Sequence, residues 1–98
     1  MAKVKCEIEL PTSIIDEVGN FYFNNSLQEN KSIFDGKIII QNDNINTSGA
    51  LTIFGIIHSP EGIIIKMNVF VNNNKINNEP ILANYQGIGN YKLEYTAP

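Results

Sequence analysis

His58 is the only histidine and Cys6 the only cysteine among the 98 residues. Together they supply at most half of the four nitrogen and sulfur ligands that a structural zinc ion takes. A Cys–His nucleophilic pair would need an exposed Cys6 touching His58. Cys6 instead falls on the apolar side of a strict alternation, Val4, Cys6, Ile8, Leu10, which predicts a buried, inert thiol. His58 stands just before the turn-forming Ser59-Pro60-Glu61-Gly62, so a solvated imidazole is expected there. Glu7 and Glu9 share the other side of the first alternation, but paired catalytic carboxylates need a cleft, and these lie on the solvent face of a half-buried strand. Asn42-Asp43-Asn44 offers oxygen ligands to calcium without the spaced acids and closing Glu of a calcium loop. Gly87-Ile88-Gly89 lacks the third glycine of a phosphate loop and leads into a strand-like run, not a helix. The nine Tyr and Phe residues include enough rings for a sugar platform, yet most sit where a core needs them, and no Trp is present. This inventory predicts a protein that is not an enzyme and carries no cofactor or metal.

Composition narrows the partners. Net charge is −3 and the pI about 4.9; all seven basic residues are Lys, scattered among ten carboxylates. Nucleic-acid binding needs a basic stripe, so it is not expected. With no Arg, bidentate grip on phosphate or carboxylate is also missing. A hydrophobic fraction of 43 % and mean hydropathy of −0.10 describe an ordinary globular chain, and its length suits one domain over residues 1–98. The 17 Ile and 15 Asn share A/T-rich codons with Lys and point to an AT-rich genome. A single Cys excludes an internal disulfide. No run approaches a membrane span and the opening Met-Ala-Lys-Val-Lys-Cys lacks a signal-peptide core, so a cytoplasmic start without membrane contact is expected.

The elements that would position these residues are strands. Lys3–Leu10 alternates throughout, its charged face reading as protection against edge pairing. The stretch Pro11–Asn20 carries one helical signal: Ser13 and Asp16 at cap spacing, Glu17 in the first turn and Gly19 as the stop. Asn20–Phe23 reads as a brief aromatic strand, and Asn24–Ser32 as a polar loop. Lys37–Ile40 is apolar and Gln41–Ser48 turn-forming. Ala50–Ser59 reads as a buried strand with a bulge at Gly55. Ser59–Gly62 is a turn whose flanking strands should pair antiparallel. Ile63, Ile65, Met67, Val69 and Val71 form the core side of the next strand, and the asparagines at 72–74 a tight hairpin, since Asn tolerates positive φ. Seven or eight short strands with at most one helical turn predict an all-β sandwich or barrel.

From Gly62 onward the chain resembles the second half of bacterial and phage immunoglobulin-like domains. The carriers are Met67–Val71 running into a polar hairpin, then Lys75–Ala83, then Gly87-x-Gly89-x-Tyr91-x-Leu93-x-Tyr95. The resemblance implies an immunoglobulin-like antiparallel β-sandwich in which the glycines turn a corner and the following tyrosine bonds backbone. A domain of this type standing alone, without an export signal and with AT-rich composition, leads to the expectation of a small structural protein of a phage virion. An auxiliary or decoration protein of the capsid fits best, contacting other virion proteins and open to homo-oligomerisation. The alternatives are a carbohydrate- or cell-surface-binding module and a small phage-encoded inhibitor of a host protein. Partner contacts are assigned to Asn24, Asn25 and Gln28 in the polar loop and to Asn72, Asn73 and Asn74 in the hairpin, which hydrogen-bond without desolvating charge; the plainer reading of each is a solvated turn.

Overall fold

The computed structural model describes residues 1–9 and 17–97. They form eleven strands: β1 (Ala2–Glu9), β2 (Glu17–Phe23), β3 (Ser26–Gln28), β4 (Lys31–Phe34), β5 (Lys37–Ile45), β6 (Leu51–His58), β7 (Lys66–Val71), β8 (Asn74–Lys75), β9 (Ile81–Leu82), β10 (Asn84–Gly87) and β11 (Asn90–Ala97). Two antiparallel sheets pack as a sandwich. One runs β4-β5-β1-β7-β8 with β9 also on β7, the other β10-β11-β6-β2-β3. The all-β reading is correct, with eight strands of four or more residues and three shorter ones.

Alternation decides which side chains meet between the sheets. Val4, Cys6 and Ile8 of β1, Ile38 and Ile40 of β5, and Met67 and Val69 of β7 face Phe21 and Phe23 of β2, Ile53 and Ile57 of β6, and Leu93 of β11, all buried. Burying each such side chain contributes about 1.5–3 kcal/mol before chain entropy is charged against it. Gly55 is part of this packing: a methyl group there would fall inside the Phe21 ring. The glycine is therefore a seat for an aromatic ring, and β6 runs straight past it against β11. The irregularity lies on the neighbouring strand β2, where the β2–β6 register shifts between Val18 and Phe21.

Several other expectations change. Glu17 and Gly19 belong to β2 and do not end a helix; Ser13 and Asp16 lie outside the described residues. The polar stretch after Phe23 contains β3 and β4, and Gln41–Ile45 continues β5 instead of turning. β1 is interior, flanked by β5 and β7, so its charged face does not guard an edge. That face carries a ladder in which Glu7 meets Lys5 at 3.0 Å and Lys37 at 3.4 Å, while Lys5 also sits over the Phe70 ring.

The strands either side of Ser59–Gly62 do not pair, because β6 and β7 belong to different sheets. Residues 59–65 are a crossover, and Tyr91 fixes it: its hydroxyl donates to the Pro60 carbonyl at 2.7 Å and accepts from the Ile63 amide at 3.3 Å. The tyrosine after the two glycines thus bonds backbone as expected, reaching the crossover. The connection also defines the two ends of the sandwich. At the crossover end lie Glu9, Lys37 and Lys66 of one sheet and His58 and Asn90 of the other. At the opposite end Ala2 pairs with Ile45, Val4 with Val71 and Leu51 with Ala97.

Candidate functional site

The residues whose chemistry drew attention first are kept apart by this fold. Cys6 is wholly buried on β1, and burial pushes its thiol pKa far above the usual cysteine value, leaving a small hydrophobe. His58 ends β6 in the other sheet, half-buried. Partial burial disfavours the Glu7 charge, but hydrogen bonding and charge from Lys5, joined by Lys37, outweigh it and hold the carboxyl below the ordinary glutamate range. Asp43 is exposed on β5 and accepts from the Gln41 amide at 3.0 Å. Among the described residues no three His, Cys, Asp or Glu side chains gather where they could hold a metal ion, and no helix is long and apolar enough to cross a membrane.

The six asparagine and glutamine positions divide by what their side chains already do. Asn24 and Asn25 form a two-residue hairpin turn at φ 50° and 66°, as do Asn72 and Asn73 at 49° and 68°, the positive φ pair of a type I′ turn. Asn24 accepts from the Thr52 amide at 2.8 Å and donates to the Asn46 carbonyl, tying the hairpin to β6. Asn72 accepts from the Lys3 amide at 3.0 Å. Gln28 is 3 % exposed; its amide donates to the Ser26 carbonyl and its oxygen accepts from Asn42, joining β3 of one sheet to β5 of the other. Asn25, Asn73 and Asn74 are exposed, as is Asn72 despite its bond to Lys3. Both turns lie at the end away from the crossover, so the fold brings the two asparagine groups to one end.

The crossover end is different. Phe34 beside the Asp35–Gly36 turn, Ile64 in the crossover and Ile88 in the β10–β11 turn are 70 %, 63 % and 98 % exposed. Ile88 sits at φ 53° between Gly87 at 93° and Gly89 at 72°, a conformation that a β-branched residue rarely takes. The turn is braced: the Gly89 amide donates to the Tyr85 hydroxyl at 3.0 Å, the Ser59 amide donates to the Gly89 carbonyl at 2.9 Å, and the Tyr85 and Tyr91 rings lie 5.0 Å apart. The signal for Ile88 was present in the sequence as a branched side chain between two glycines.

A further surface lies on the outer face of the sheet containing β2, β6 and β11. Tyr22 and Phe54 are cross-strand partners with ring centroids 6.4 Å apart, and Leu27 of β3 extends the row. Alternation within Phe21-Tyr22-Phe23 hides the two phenylalanines and leaves the tyrosine outside. A shallow groove at the pair is lined by Asn20, Ile56 and His58 together with the two rings, so apolar and hydrogen-bonding groups share it. Comparison of the chain with protein-family models, with curated proteins and with solved structures finds no significant match.

Proposed function

We propose that this chain is a small, non-enzymatic structural protein of a phage virion, an auxiliary or decoration protein of the capsid built as an immunoglobulin-like domain. It binds other virion proteins by surface complementarity. The observation that carries this reading is the crossover end, where Phe34 at the end of β4, Ile64 in the crossover and Ile88 on its turn are exposed. Apolar side chains presented this way suit contact with another protein surface. The net charge of −3 without a basic stripe speaks against a nucleic-acid partner. The resemblance of Gly62–Tyr95 to phage immunoglobulin-like domains and the AT-rich composition add the virion to the reading. Mass spectrometry of purified particles tests it: the chain is expected at fixed stoichiometry to the major capsid protein, and its absence from particles overturns the proposal.

The Tyr22–Phe54 row favours one alternative, a carbohydrate-binding module, because stacked sugars use exposed rings flanked by amide and imidazole groups. A glycan array separates the two readings. Binding to a defined glycan that is lost in Tyr22→Ala supports the module, whereas an array without signal leaves the architectural role.

A further inference from the structure

The Tyr22–Phe54 ring pair stands between two shallow grooves, and both rings line each of them. Towards the crossover the first groove, about 400 Å³, adds Asn20, Ile56 and His58. Towards the asparagine end the second, about 230 Å³, adds Asn25, Thr52, Glu94 and Thr96. β6 sets groove, rings and groove in a line, because its outward residues are Thr52, Phe54, Ile56 and His58. At about 3.4 Å per residue the strip runs roughly 20 Å, long enough for a chain of sugar rings. We propose that this strip binds an uncharged, linear oligosaccharide of at least three units, one on the rings and one in each groove. The site rests on the carbohydrate reading of the same ring pair, to which it adds the length, charge and direction of the bound chain.

A sugar presents an apolar ring face and a rim of hydroxyls, and the strip meets both. The ring face stacks on the exposed Phe54 and the half-buried Tyr22. The hydroxyls need donors and acceptors that the fold has not already used. The side-chain polar groups of Asn20, Tyr22, Asn25, His58 and Thr96 make no hydrogen bond among the described residues, and they fall on both sides of the rings. A protein partner fits less well, because protein interfaces gather apolar side chains at the centre and polar ones at the rim, whereas here polar groups recur along the whole strip. Charge sets the class of glycan. Among the described residues no Lys lines either groove, and the one carboxylate that does, Glu94, is paired with Lys92 at 2.7 Å. On a chain of net charge −3 an acidic glycan would find repulsion without a counter-ion in the grooves, and an uncharged one finds neither.

A glycan array of uncharged, sialylated and sulfated chains of one to six sugars tests it, followed by calorimetry of the purified full chain with the best uncharged binder and its shorter fragments. Affinity is expected to rise about tenfold from one sugar to three, and acidic chains to bind no better than uncharged ones. Asn20→Ala and Thr96→Val each remove one hydrogen-bonding group from one groove, with circular dichroism confirming the fold. Each is expected to weaken binding of the trisaccharide about threefold. Equal affinity for one sugar and three overturns the site while the carbohydrate reading stands. So does a preference for acidic chains, and so do two variants that bind the trisaccharide as well as the wild type. An array without signal overturns the site and the carbohydrate reading together.

Discussion

Two turns at opposite ends of the sandwich share a pair of left-handed residues and differ in side chains. Asn72–Asn73 at one end and Ile88–Gly89 at the other both sit at positive φ, the latter preceded by a third such residue, Gly87. The asparagine turn also serves the fold, since Asn72 accepts from the Lys3 amide and so fastens the β7–β8 hairpin to β1. The Ile88 side chain fastens nothing: the bonds that hold its turn come from Tyr85, Ser59 and the Gly89 backbone. Local mechanics therefore explain the residues at the asparagine end and leave Ile88 to be explained by something outside the chain. This is the pattern expected where a surface is kept for contact at some loss of stability.

The comparison can be broken most strongly at Tyr91. Tyr91→Phe leaves the Pro60 carbonyl and the Ile63 amide without their hydroxyl partner, costing about 1–2 kcal/mol, with the loss concentrated at the crossover end. Hydrogen exchange should show the Ile63 amide opening faster while amides near Asn72 keep their protection. Uniform loosening of both ends would mean that the crossover is not a separate unit. A smaller effect is expected from Asn73→Ile, which puts a branched residue at the second left-handed position of the asparagine turn and should destabilise by about 1 kcal/mol, measured by urea unfolding. An unchanged midpoint would show that the left-handed position tolerates a branched residue, removing the argument from strain.

The smallest effect belongs to the ladder on the outer face of β1. The Glu7 carboxyl is depressed in the folded state by Lys5 and Lys37. Its contribution is therefore fully present above the unfolded glutamate value of about 4.3 and is lost as pH falls through the lower folded value. Glu7→Gln should cost at most about 1 kcal/mol at pH 7 and nothing once the wild-type carboxyl is protonated. Equal destabilisation at pH 7 and in acid would show that packing, not charge, holds this residue.

Much of the fold was legible because long strands announce themselves. β1 and β11 alternate over eight residues, and their buried sides are the ones the sequence predicts apart from the half-exposed Tyr95. β3 and β4 were hidden because strands of three and four residues have too little pattern to read, and turns at Asn24–Asn25 and Asp35–Gly36 set their pairing. Which strands share a sheet was also not legible. Ser59–Gly62 has the composition of a hairpin turn, and only the reach of Tyr91, 28 residues beyond Ile63, makes the segment a crossover. Gly55 shows the same limit, since a glycine in a strand signals either a bulge or a close approach and the Phe21 ring decides between them. For the candidate site, Asn72 was correctly read into a tight hairpin, whereas Asn24 was read into a long loop and in fact opens a two-residue turn before β3. Burial of Gln28 depends on the facing β5 strand, and the exposed Tyr22–Phe54 row depends on strand pairing between residues 32 positions apart.

The most direct test of the claim that Ile88 is held for contact and not for folding is Ile88→Asn, followed by urea unfolding and by recovery of the chain with purified particles. Asn relieves the positive-φ strain, so stability should rise by about 1 kcal/mol while attachment to particles weakens. A variant that unfolds more easily than the wild type, or that attaches as well, would contradict the account.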